Sequence, residues 1–213
     1  MMKQRTWMLI LVLLAVPIIS GGNCAFSFGS GGGSDDDDER KEGLTVVVNK
    51  GQFVDAPVEG LRYVSGAVSG ITGSDGEFEY EEGSAVRFFI GDIPLGDAAP
   101  GQDLVTPLDL VSGGDLDTPA VINIARLLQS LDAVPGDDKI TIPDDVRAAA
   151  VKSNESLATA IDFLQFSDDP AFNNAASQLV AVLTSEYPHT AMLVDGETAR
   201  AHLARSLAAM GVR

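Results

Sequence analysis

Between Gly70 and Asp92 the chain reads GITGSDGEFEYEEGSAVRFFIGD, and this stretch constrains the fold more than any other. Glu77-Phe78-Glu79-Tyr80 alternates strictly, so an extended backbone puts both aromatics on one face and both acids on the other. Ser74-Asp75-Gly76 before it and Glu81-Glu82-Gly83 after it are turns, because Asp and Gly tolerate the left-handed backbone region. Val86 to Ile90 is the most apolar strand, and Gly91-Asp92 ends it. These strands are short, closely spaced and punctuated by glycine turns. They imply an antiparallel sandwich or small barrel.

The pattern extends upstream. Leu44 to Val48 is β-branched and reads as a strand, Phe53 to Val58 as a second, Leu61 to Val64 as a third, and Val68 to Thr72 alternates with small residues. The order GQFVDAPVEGLRYVSGAVSGITGSDGEFEY resembles the carboxypeptidase-regulatory-like and related bacterial Ig-like modules. Asp55, Pro57, Val58, Gly60, Gly70, Thr72, Asp75, Gly76, Phe78 and Tyr80 carry the resemblance. It implies a β module over 44–98, of a kind that is mostly a noncatalytic spacer or binding platform.

Residues 99–117 read as a connector, and 118–213 as a helical module. Thr118-Pro119 opens a helix, with Thr118 at the N-cap and Pro119 at N1. Val121, Ile124, Leu128 and Leu131 form its apolar stripe, Ala125 widens it, and Pro135-Gly136 ends it. Ile140 and Ile142 are a short extended piece, and Pro143 to Val151 is helical. Ser153 or Asn154 caps the next helix, with Leu157, Ile161 and Leu164 inward. Asp168-Asp169-Pro170 starts another, with Phe172, Ala176, Leu179 and Leu183 on one side. Asp195-Gly196-Glu197 starts the last, striped by Ala199, Leu203, Leu207 and Met210 and closed by Gly211. The expected fold is therefore α+β: a small antiparallel β-sandwich or barrel followed by helices.

From Gly51 to Pro143 the chain is also similar to a group of bacterial secreted or lipid-anchored proteins in which VTPLDLV and AVINIARLLQSLDAVPGDDKITIP follow the β unit. In some of them the loop after LQSLD is rich in Asp, Asn and Gly and resembles a calcium loop. Here Asp132-Ala-Val-Pro-Gly-Asp137-Asp138 carries acid at its first and later positions only. An EF-type loop needs acids at positions 1, 3 and 5 and a Glu at 12. A solvated loop without a cofactor is the expectation, and calcium the alternative.

The N-terminus has a different logic. Met1 to Arg5 is basic, Trp7 to Ile19 is apolar apart from Pro17, and Ser20, Gly21 and Gly22 are small. That is the order of a secretory signal peptide over 1–23, and the apolar run is short for a bilayer span of about 20 residues. Cys24, the only cysteine, follows at once. Its place resembles the lipobox of bacterial lipoproteins, in which the cysteine becomes the acylated N-terminus. That implies a lipid anchor on Cys24. Ala25 in place of Asp then implies the outer membrane or cell surface. Gly21 at −3 and Asn23 at −1 depart from the lipobox pattern. Cleavage after Gly22 is the alternative, giving a periplasmic or secreted protein with a spare thiol. Residues 24–43, rich in Gly, Ser and Asp with four successive acids at Asp35–Asp38, read as a disordered tether.

The formal net charge of −17 repels nucleic acid and anionic lipid, so no nucleic-acid partner is expected. Loss of the signal segment removes Lys3 and Arg5 and no acid, which deepens that charge. The two histidines, His189 and His202, lack metal-ligand spacing, and both read as surface or boundary residues. No G-x-S-x-G elbow occurs, and the glycines at 29–33 precede acids rather than a helix. No catalytic, cofactor or metal residue is assigned. The expectation is a noncatalytic exported envelope protein that binds a protein or surface ligand and reaches the membrane through Cys24. The alternative is a soluble periplasmic or secreted enzyme, or accessory subunit, using Asp and Glu in a cleft between the β and helical parts.

Overall fold

A computed structural model describes residues 46–153, 162–163 and 168–211. The signal segment, Cys24, the acidic tether and the helix expected near Leu157, Ile161 and Leu164 lie outside the described residues. Leu44–Arg213 groups as one compact unit.

Nine short strands come first: β1 (Val48–Phe53), β2 (Val58–Glu59), β3 (Arg62–Ser65), β4 (Val68–Ile71), β5 (Glu77–Glu81), β6 (Ala85–Ile90), β7 (Ile93–Pro94), β8 (Ala99–Pro100) and β9 (Leu104–Val105). Then follow α1 (Pro119–Ser130), β10 (Ile140–Thr141), α2 (Asp144–Ser153), α3 (Pro170–Leu183) and α4 (Gly196–Ala209). The fold is α+β, with a sandwich-like β region followed by four described helices. One sheet has the order β5-β1-β9, and a second has β4-β3-β6-β7 with β8 also on β6.

The alternation of the opening stretch decides how the sheets meet. Phe78 and Tyr80 of β5 are buried while Glu77 and Glu79 are exposed, and Val86, Phe88 and Ile90 of β6 point the same way as one another. The inward aromatics of the two sheets then meet. The Phe53 and Phe88 rings are 4.7 Å apart, Phe78 and Phe88 stand edge-to-face at 5.0 Å, and Tyr63 lies 5.9 Å from Phe78. Each such buried side chain contributes roughly 2–3 kcal/mol by burial, with about 0.5–1.5 kcal/mol more for a well-placed aromatic pair.

The first strand is displaced from its expected position. β1 runs Val48–Phe53, straight through Gly51, whereas Val46, Val47 and Val48 are exposed. The reason lies across the sheet. Gly51 pairs with Phe78, and a Cβ at Gly51 would collide with the Gln102 carbonyl oxygen and stand 2.6 Å from the Phe78 ring. The glycine is thus the gap that the Gln102 carbonyl and the aromatic close from two sides, not a strand end. Thr72, one of the resemblance residues, is a buried knot: its hydroxyl donates to the Val58 carbonyl at 2.6 Å and accepts from the Leu61 amide at 2.9 Å.

The 99–117 segment is partly strand. β8 pairs antiparallel with β6, and β9 pairs parallel with β1. β10, from the helical region, pairs parallel with β2. Strands and helices consequently share one core, in which Phe53, Val58, Leu61 and Ile90 join Leu127, Leu131, Ile142 and Leu183. A second cluster packs Val121 and Ala125 of α1 against Ala199, Leu203 and Leu207 of α4.

Helix α1 sits between these clusters. Ten of its twelve residues are buried, so it is a central helix rather than a one-sided amphipathic one. It stops at Ser130, before Pro135-Gly136, because the Asp132 carboxylate captures the Val134 and Thr141 amides and turns the chain into β10. Thr118 holds the N-cap position, but its hydroxyl bonds Asp115 instead of the helix amides. Asp169 and Asp195 do cap α3 and α4, accepting from Ala171 and Phe172 and from Thr198. The expected stripes of α3 and α4 are buried, except that Met210 is exposed.

Candidate functional site

The link from β1 to β2 is a tight turn, Val54-Asp55-Ala56-Pro57. Val54 bridges to Pro57, and the Val54 amide donates to the Val105 carbonyl at 2.9 Å. Ala56 has φ of 55°, the one non-glycine residue with positive φ among the described residues. A side-chain-bearing residue there costs about 1–2 kcal/mol. This turn drives Asp55 inward, to zero solvent exposure, at the junction of the strands with α1 and α4.

Two side chains meet it. Gln129 of α1 donates to Asp55 Oδ1 at 3.2 Å and Oδ2 at 3.0 Å, and to the Ala199 carbonyl at 3.1 Å. His202 of α4 lies with Nδ1 3.2 Å from Asp55 Oδ1. With Asp55 ionised, Nδ1 carries the hydrogen and donates it, which leaves Nε2 as the other functional atom of the ring. Burial pushes the Asp55 carboxyl above its usual range, and the hydrogen bonds from His202 and Gln129, with the charge of His202, pull back against that rise. Burying a carboxylate is costly unless every oxygen is met, and here both are.

The His202 ring borders a pocket of about 420 Å³ between the 54–57 turn, the loop at Asp137-Asp138 and the outer face of α4. Arg205 and Ser206 share that face of the helix, while the Ser206 hydroxyl donates to the His202 carbonyl at 3.2 Å. The geometry is an oriented imidazole, held from behind by a buried acid, beside an open space.

A second polar knot lies on the same central helix. Arg126 is almost fully buried. It donates to the Val194 carbonyl at 2.7 Å and to Asn173 Oδ1 at 2.7 Å, and its guanidinium lies 5.3 Å from the Phe172 ring. Burial lowers its pKa, with Asp195 opposing. These bonds tie α1 to α3 and to the segment before α4. Tyr187 completes the packing, its hydroxyl donating to the Leu131 carbonyl at 2.6 Å, and burial holds its pKa far above the usual phenol range.

Cys24 lies outside the described residues. Of the 132–138 loop acids, Asp132 binds its own loop's amides and Asp137 Oδ1 accepts from the Lys139 amide. Among the described residues no group of three His, Cys, Asp or Glu side chains is arranged to hold a metal ion. Asp75 pairs with Lys139 at 3.1 Å on the surface. His189 packs against Tyr187, with ring centroids 5.3 Å apart and planes tilted by 44°. The Asp55–Gln129–His202 constellation was missed. Its sequence signals are an acid inside the apolar run Phe53 to Val58, and a polar line Asn123, Arg126, Gln129 at three-residue spacing along an apolar helix.

No protein-family model matches the chain, and no solved structure matches it. Over 105 residues it is 29% identical to "Putative lipoprotein YghJ" of Escherichia coli O78:H11 (strain H10407 / ETEC). The matched stretch is 48% of this chain and 7% of that protein, so the chain spans a small part of that relative's length. Among the described residues no helix is long and apolar enough to cross a membrane.

Proposed function

We propose that this is an exported, noncatalytic envelope protein, anchored by lipid at Cys24, whose compact unit binds a ligand or partner at the outer membrane or cell surface. One observation carries the reading: the sole cysteine directly follows a signal-like segment and precedes the compact unit at Leu44 by about twenty residues. A Gly/Ser-rich tether of that length reaches on the order of 25 Å, and the acidic run extends it. The likeness to a protein named a lipoprotein supports the same reading. The finer resemblance to Ig-like modules is part of this proposal, supported by Thr72 and by the aromatic faces of Phe78 and Tyr80.

The test is to label cells with radioactive palmitate and compare the wild type with Cys24→Ser. Label in the wild type and none in the variant supports the anchor. No label in either refutes it and leaves the product of cleavage after Gly22. One observation favours a second reading, an enzyme or accessory subunit: a buried acid does stand where strands and helices meet, paired to a histidine that borders a pocket.

A further inference from the structure

We propose that the pocket between the 54–57 turn, the 137–138 loop and α4 binds a small zwitterion with an apolar body, of the size and kind of an apolar dipeptide. Three features converge there. First, the His202 ring is fixed from behind, because Nδ1 is committed to the fully buried Asp55. Nε2 is then the atom available to a guest, oriented in advance. Second, the backbone is strained at Ala56, which itself lines the pocket. Such strain persists where the surroundings over-determine it, and it gathers at binding sites. Third, the volume of about 420 Å³ falls in the range of small-molecule sites, ~300–1,000 Å³.

The lining chooses the guest. Arg205 stands one turn beyond His202 on α4, while Asp137 and Asp138 approach from the loop. Among the described residues neither Arg205 nor Asp138 forms an ion pair, so opposite charges line one pocket without neutralising each other. An anion would meet the two carboxylates, and a cation would meet the guanidinium. A molecule carrying both an ammonium and a carboxylate satisfies both sets. Val54, Pro57 and Met210 supply an apolar wall, and Met210 is one of the large apolar residues left exposed. The guest must therefore carry apolar side chains between its charged ends. The carboxylate faces Arg205 and the His202 edge, and the ammonium faces the loop.

This deepens the reading of the compact unit as a binding module and is independent of the anchor. The experiment uses the full chain purified in detergent, with histidine rings labelled by nitrogen-15. Two histidines give two ring spectra, and His189→Gln assigns them. The probe is L-leucyl-L-leucine, with its N-acetylated and its C-amidated forms as comparisons. The free dipeptide is expected to move the His202 ring resonances saturably. Arg205→Ala, Asp137→Asn/Asp138→Asn, and each blocked dipeptide should weaken binding about tenfold, the loss of one charge-assisted contact. Arg205 and both acids are exposed, so these variants retain the fold, which far-UV circular dichroism checks. No movement of His202 at about 10 mM, ten times a millimolar dissociation constant, overturns the proposal. Equal binding of free and blocked dipeptides also overturns it, by showing an apolar groove without charge recognition. Either failure with intact palmitate labelling of Cys24 leaves the anchor standing and removes only this ligand.

Discussion

Gln129→Leu probes the buried carboxylate, because it removes both hydrogen bonds to Asp55, together with the pH-independent one to the Ala199 carbonyl, with little change of volume and no added titrating group. Hydrogen bonds to a charged group are worth roughly 1.5–3 kcal/mol, and those to a neutral one about 1 kcal/mol. His202 still contacts Oδ1 in the variant, so the expected loss at neutral pH is about 2–3 kcal/mol, with Oδ2 left bare and fully buried. The loss must depend on pH. Burial already raises the Asp55 carboxyl above its unfolded value, so between those two values the folded chain holds a proton that the unfolded chain has lost. On this account Asp55 contributes stability at acid pH that fades as pH rises through its folded pKa. Removing Gln129, which pulls that pKa down, lifts it further. The deficit of Gln129→Leu is then smallest near pH 4, about 1 kcal/mol, and grows on going to neutral pH. The assay is urea unfolding of the full chain followed by far-UV circular dichroism at several pH values, repeated in the Asp55→Asn background. There the deficit should stay near 1 kcal/mol at every pH. A deficit that is flat with pH, or unchanged by Asp55→Asn, would refute the assignment of Asp55 as a buried acid held by Gln129.

Two further outcomes follow from the packing. Arg126→Met should cost about 3 kcal/mol in the same unfolding assay, because the Val194 carbonyl and Asn173 Oδ1 lose a buried donor; a neutral result would mean that water replaces the guanidinium. Gly51→Ala should cost about 1–3 kcal/mol by pressing a methyl against the Gln102 carbonyl and the Phe78 ring, and nuclear magnetic resonance should show the shifts centred on Gln102 and Phe78; an unperturbed Phe78 would contradict the register of β1 and β5.

Local chemistry was legible where it acts over a few residues. The alternation in β5, the Asp169-Pro170 and Asp195 helix starts and the stripes of α3 and α4 are short-range patterns, and the structure has them. Elements whose limits depend on a distant partner were misplaced. The first strand reads as Leu44 to Val48 until Phe78 is seen across the sheet from Gly51, and α1 reads as longer until Asp132 is seen holding Thr141. The 99–117 segment reads as connector because strands of two residues leave no period to detect.

The candidate site shows the same division more sharply. Sequence alone determines that Asp55 lies in an apolar run two residues before a proline, that His202 borders the stripe of α4, and that Gln129 continues a polar line on α1. It also determines the acidic charge, the lone cysteine and its place ahead of the folded unit. Only the tertiary structure brings positions 55, 129 and 202 together, 74 and 147 residues apart from the first. The cost of burying a carboxylate is what couples them: an acid driven under the strands requires donors, and the donors within reach are those of the two helices that close over it.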